Sequence, residues 1–60
     1  MVNVFIPASS RAEADAAAAQ YLSRYPSMPY FTRVNVVELD HNRYPNHRFA
    51  VVGTRAESCD

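Results

Sequence analysis

The sequence predicts a single small α+β domain, in which one helix packs on a three-stranded sheet in the chain order strand–helix–strand–strand. A short alternating segment, 2–6, precedes an alanine-rich segment, 10–25, and two segments rich in β-branched and aromatic residues follow, 30–40 and 47–55. A chain of 60 residues forms one domain at most and buries only about 60% of the surface that its unfolded form exposes. Chains of this size are usually stabilised by disulfides, a metal or a partner, and the single cysteine excludes a disulfide within the chain.

The first strand and the helix are predicted from alternation and from capping residues. Residues 2–6 alternate valine and isoleucine with other side chains, which is typical of a strand. Ser10 and Glu13 are three positions apart and predict a capping box at the start of helix 10–25, which stops before Pro26. Helical spacing places an alanine and tyrosine stripe on the sheet, formed by Ala14, Ala18, Tyr21, Leu22 and Tyr25.

The last two strands are predicted to form a hairpin around the segment 42–46, because Pro45 and Asn46 favour a turn. We expect His41 to lie opposite His47 near the loop and Arg33 to lie opposite Arg55 at the open end. This register turns one apolar set toward the helix, namely Val37, Leu39, Phe49 and Val51. The other face of the sheet then exposes Val34, Val36 and Val52.

The strand order is predicted from the segment 49–53, which is apolar on both of its faces. We place this last strand in the centre of the sheet, in the order 1-3-2, with 1-2-3 as the alternative. Gly53, the single glycine, is expected to mark a bulge or a close approach of another backbone. The exposed valine face is expected to bind a partner protein or a second copy of the chain in a homodimer.

Composition narrows the class of protein. The net charge is zero, with six basic residues that are all arginine and six acidic residues, which counts against binding to a nucleic-acid backbone. No apolar run approaches the ~20 residues that span a bilayer, and no segment is typical of a signal peptide. We therefore expect a cytoplasmic protein without membrane contact, in which Cys59, the single cysteine, is a reduced thiol without a catalytic role.

The segment 40–49 holds the densest group of polar and basic side chains in the sequence. His41, His47 and Asp40 offer at most three metal ligands, whereas a structural zinc site needs four, so we predict no metal and no cofactor. A second hypothesis is a nucleic-acid-binding hairpin that uses the basic segment 41–48. The neutral net charge and the adjacent acidic residues count against this hypothesis.

An enzyme is not expected, because the sequence has no glycine-rich phosphate loop and its serines near residue 10 are better used as helix caps. We therefore expect a non-enzymatic protein that binds another protein. Aromatic residues, methionine and arginine are enriched at such interfaces. On this basis the predicted partner-binding residues are Met28, Tyr30, Arg33, Arg43, Tyr44, Arg48 and Arg55.

The segments "VFIPASSRAEADAAAAQYL" and "YFTRVNVV" resemble the strand–helix–strand of small phage-encoded inhibitors of bacterial RNA polymerase. The similarity covers residues 2–37, and its distinctive piece is Thr32-Arg33-Val34. The resemblance implies a phage or plasmid regulator of transcription that binds the host polymerase, with strand arginines contacting an acidic surface of the enzyme. Only Arg33 carries over, because Asn35 stands where the family has its next arginine, and the additional hairpin strand departs from the family pattern.

Overall fold

The computed structural model describes residues 1–57, which form a three-stranded antiparallel sheet, one long helix and one short helical turn. The strands are β1 (Val2–Ala8), β2 (Arg33–Glu38) and β3 (Phe49–Arg55), the long helix α1 covers Arg11–Arg24, and the turn α2 covers Ser27–Tyr30. The observed order β1-β3-β2, with α1 on one face, confirms the predicted α+β class and strand order. Cys59 lies outside the described residues.

The boundaries of all three strands differ from the prediction. β1 continues through Pro7 because an edge strand tolerates a residue that lacks a backbone N–H group. β2 is shorter than the predicted 30–40, since α2 occupies Ser27–Tyr30 and a turn begins at Asp40. β3 begins at Phe49, two residues after the predicted start.

Helix α1 begins with the capping interactions that the sequence predicts. The Ser10 hydroxyl accepts a hydrogen bond from the Glu13 backbone N–H at 3.1 Å. The Glu13 carboxylate in turn accepts from the backbone N–H of Ser9 at 3.1 Å and from its hydroxyl at 2.5 Å. The reciprocal bond reaches the residue before the N-cap, which fixes the path of the chain from β1 into α1.

The predicted hairpin register is wrong by one residue. Arg33 pairs with Thr54, not with Arg55. His41 and His47 are not opposed to each other, because the ladder between β2 and β3 ends before them. Since side chains alternate across a sheet, this shift places every β2 side chain on the opposite face from the predicted one.

The turn at Asp40 sets this register. Its carboxylate Oδ1 accepts from the Asn42 N–H at 3.0 Å, and its backbone carbonyl accepts from the N–H groups of Arg43 and Tyr44 at 3.1 and 2.8 Å. An aspartate that bonds to the backbone two residues ahead starts a turn by itself. The strands therefore separate earlier than the sequence interpretation placed the separation.

The face of the sheet toward α1 carries Val4, Ile6, Ala8, Val34, Val36, Phe49 and Val51. Phe49 and Val51 were predicted on this face, but Val34 and Val36 were predicted on the other, and Val37 is displaced from it. The core is built from small side chains, and Val51 is the largest that is fully buried. Alanines of α1 lie directly on it, with Ala14 completely buried.

Gly53 and Thr32 are both closely packed positions beside β2. A Cβ atom at Gly53 would collide with the carbonyl oxygen and carbon of Arg33, which confirms the predicted close approach of another backbone. Thr32, the residue before β2, is only 4% exposed. Its hydroxyl has no hydrogen-bond partner within the described part of the chain, so a polar group is buried without compensation.

Candidate functional site

The face of the sheet opposite α1 is the candidate site, and we call it the open face. The pairing of the strands arranges its side chains in three cross-strand rows: Asn3–Thr54–Arg33, Phe5–Val52–Asn35 and Pro7–Ala50–Val37. Phe5 is 51% exposed in the middle row, and Val37 and Val52 are half-buried. The face therefore has an apolar centre with a polar and basic end.

Tyr44 extends the open face beside Phe5. The centroids of the two rings are 6.0 Å apart and tilted by 37°. The guanidinium carbon of Arg43 lies 5.9 Å from the centroid of the Tyr44 ring. The backbone N–H of Arg48 donates a hydrogen bond to the Ala8 carbonyl at 3.2 Å, which holds the end of the hairpin loop against β1. The loop thereby brings an aromatic and a basic side chain to the apolar centre.

The charge of the open face is positive. Arg33 is exposed at one end, and none of the nine residues in the three rows is acidic. Within residues 1–57 the one ion pair joins the Met1 amino group to Glu57 at 3.6 Å, so Arg33, Arg43 and Arg48 have no carboxylate partner there. The three predicted interface arginines with exposed side chains remain able to bind carboxylates of another molecule.

Arg55 lies apart from Arg33, on the side of the sheet that faces α1. Its Nε donates to the Tyr21 hydroxyl at 2.7 Å, and its guanidinium carbon lies 3.9 Å from the centroid of the Tyr25 ring. Tyr30 joins this group, with its ring centroid 5.2 Å from that of Tyr25. The structure therefore places the predicted site residues Arg55 and Tyr30 in a structural cluster on the other side of the molecule.

Met28 and Phe31 form an exposed apolar corner at the turn before β2. Met28 is 71% exposed and Phe31 is 64% exposed. Phe31 has a φ of 54°, in the left-handed region, which costs a non-glycine residue about 1 kcal/mol or more. The Phe31 N–H donates to the Ser27 carbonyl at 2.8 Å and the Ala56 N–H donates to the Tyr30 carbonyl at 2.7 Å, which hold this conformation.

The predicted partner-binding residues did not include Phe5 and Phe31, which are both exposed. Phe5 could have been found, because Val4 and Ile6 are its inward-facing neighbours and alternation therefore turns Phe5 outward. Phe31 adopts a left-handed backbone conformation at the end of α2, which the sequence does not predict for a phenylalanine.

The hairpin histidines do not form a ligand cluster with other side chains among residues 1–57. Within residues 1–57 no three histidine, cysteine, aspartate or glutamate side chains lie close enough together to hold a metal ion. His47 instead lies near the start of α1. Hydrogen bonds from the Ser9 side chain and backbone lower the pKa of Glu13, and the charge of His47 contributes in the same direction.

Neither α1 nor α2 is long and apolar enough to cross a membrane. In comparisons with known proteins, no protein family, no curated protein and no solved structure matches the chain. The open face and its arginines are therefore the basis of the functional proposal.

Proposed function

We propose that the protein is a non-enzymatic regulator that binds another protein through the open face, and that bacterial RNA polymerase is the first partner to test. The observation that carries this proposal is the exposed Phe5, which lies opposite Val52 on the open face, with Val37 and the exposed Arg33 on the same face along β2. An apolar centre with basic residues at its margin has the composition of a protein interface.

The charge of the open face favours a partner with an acidic surface. Arg33 and Arg43 have no carboxylate partner within residues 1–57, and the three rows contain no acidic residue. A guanidinium group binds a carboxylate through two parallel hydrogen bonds, and such charge-assisted bonds strengthen when the interface excludes water. An acidic protein surface with apolar neighbours would therefore complement both parts of the face.

The choice of RNA polymerase rests on the resemblance of residues 2–37 to small phage-encoded inhibitors of that enzyme. The resemblance implies that strand arginines contact an acidic surface of the polymerase. Arg33, the one arginine of this pattern that the chain retains, lies exposed at the end of β2 on the open face. Its position supports polymerase binding as the first activity to measure.

The direct test uses purified bacterial RNA polymerase, with binding measured by interferometry and transcription measured on a promoter template. The wild-type protein should bind and change transcript yield. Phe5→Ser and Arg33→Glu should each weaken binding by about tenfold or more. Arg11→Glu is the matched control, since Arg11 is also exposed but lies on α1. Equal binding by all three variants would exclude the open face as the interface.

A second function is favoured by the ring pair of Phe5 and Tyr44, with Arg43 beside it. Adjacent aromatic side chains on a sheet can stack on the bases of a single-stranded nucleic acid, each base contributing about 1–3 kcal/mol. Fluorescence anisotropy with labelled single-stranded oligonucleotides at low salt tests this function. Binding that is lost in Tyr44→Ala, together with no binding to the polymerase, would replace the protein-binding proposal.

A further inference from the structure

A groove of about 580 Å³ lies between α1 and β1, on the opposite side of the sheet from the open face. Its lining residues are Ile6, Ala17, Gln20, Tyr21, Ser23 and Arg24. Ile6 and Ala17 contribute half-buried apolar surface, whereas Gln20, Ser23 and Arg24 are exposed and polar. The groove thus combines an apolar floor with hydrogen-bonding groups at its rim, as small-molecule sites commonly do.

The charge of this groove is positive. None of its lining residues is acidic, and Arg24 forms no ion pair within residues 1–57. The Arg24 guanidinium carbon lies 5.7 Å from the centroid of the Tyr25 ring, a contact that leaves its N–H groups able to donate. A carboxylate fits this arrangement, because its two oxygens can accept parallel hydrogen bonds from the guanidinium group, and the neighbouring amide and hydroxyl can donate as well.

Tyr21 connects the groove to a second arginine. Its hydroxyl oxygen accepts a hydrogen bond from Arg55 Nε at 2.7 Å. A hydroxyl that accepts from a cation becomes a stronger donor through its own proton, because bonds in a chain polarise one another. The Tyr21 hydroxyl is therefore a second donor suited to an anion.

We propose that this groove binds a small molecule with an apolar body and a single carboxylate, such as a medium-chain fatty acid. The apolar body lies against Ile6 and Ala17, and the carboxylate accepts hydrogen bonds from Arg24, supported by Gln20 and Tyr21. This inference is independent of the open face, because the two surfaces share no residue.

The test is a titration of the ¹⁵N-labelled protein, followed by amide chemical shifts, with three probes: octanoate, 1-octanol and acetate. Octanoate should give saturable shifts at the amides of the groove residues. 1-Octanol retains the apolar body without the charge, and acetate retains the charge without the body. 1-Octanol should bind at least about tenfold more weakly than octanoate, since it lacks the hydrogen bonds of a charged carboxylate. Acetate should also bind at least about tenfold more weakly, since it buries almost no apolar surface.

Arg24→Gln should weaken octanoate binding by about tenfold while leaving the melting temperature close to that of the wild type. Arg11→Gln is the matched control, because it removes the same charge from the other end of α1. The absence of saturable shifts with octanoate would overturn the proposal. Equal affinity for octanoate and 1-octanol, unchanged in Arg24→Gln, would overturn the assignment of a carboxylate, and shifts confined to the open face would overturn the location.

Discussion

The guanidinium carbon of Arg55 lies 3.9 Å from the centroid of the Tyr25 ring, at the place where the end of β3 meets the last turns of α1. A second contact, from Arg55 Nε to the Tyr21 hydroxyl at 2.7 Å, joins the same two elements. The fully buried core contains only small side chains, and these two contacts link α1 to β3 outside that core.

Arg55→Ala should lower the free energy of unfolding by about 1–2 kcal/mol, because it removes a charge-assisted hydrogen bond and a cation–π contact together. A loss of this size lowers the melting temperature of a small domain by about 4–8 °C per kcal/mol. Arg33→Ala is the control and should change stability by no more than about 0.5 kcal/mol, since Arg33 is exposed. Circular dichroism melts measure both, and equal melting temperatures would contradict the structural role of Arg55.

Gly53→Ala should destabilise the protein by about 1–3 kcal/mol, because the new methyl group would meet the backbone of Arg33, which cannot move without disturbing the β2–β3 ladder. Thr54→Ala, at the next position of β3, tests whether any change in this strand has the same effect. Urea unfolding of the two variants should separate them clearly. A Gly53→Ala protein as stable as the wild type would show that the two backbones do not approach closely.

Thr32→Val should raise the free energy of unfolding by about 1 kcal/mol, because it replaces a buried hydroxyl that has no partner among residues 1–57 with a methyl group of the same shape. Thr32→Ser keeps the hydroxyl and removes the methyl group, so it should destabilise. Thermal melts of both variants give the sign directly. A destabilised valine variant would indicate that the hydroxyl makes a hydrogen bond.

Glu13 should contribute to the acid sensitivity of the fold. Hydrogen bonds from Ser9 lower its pKa below the ordinary 4.5, so the folded state favours the ionised carboxylate. This stabilisation is present above the ordinary pKa and is lost as the pH falls through the lowered value. Glu13→Gln should therefore flatten the decline in stability with falling pH below about pH 4.5. Identical acid profiles for wild type and Glu13→Gln would contradict the capping geometry.

The sequence was sufficient to predict the elements whose boundaries depend on residues close together in the chain. Ser10 and Glu13 predicted the start of α1, and the apolar run of β3 predicted its central position. The register of β2 could not be predicted in the same way. Valines occupy positions 34, 36 and 37, so apolar side chains point to both faces and alternation does not select one. The turn at Asp40 determines which face each β2 side chain lies on.

The site was predictable only in part for a similar reason. Residue type alone was enough to select three arginines as candidate interface residues, and all three are exposed: Arg33, Arg43 and Arg48. The contact of Arg55 with Tyr21 joins residues 34 positions apart, and no local pattern specifies it. Such long-range contacts depend on how α1 packs against β3. Periodicity predicts which face of each element is buried, but not which side chains meet there.

Transferred cross-saturation NMR tests the central claim most directly, with the ²H,¹⁵N-labelled protein in exchange with purified bacterial RNA polymerase. Our account predicts that irradiation of the polymerase reduces amide signals on the open face, most strongly near Phe5, Arg33 and Val52. Amides on the exposed side of α1, such as those of Ala12 and Ala16, should keep their intensity. No transfer at all, or transfer confined to α1, would contradict the proposal that the open face binds the polymerase.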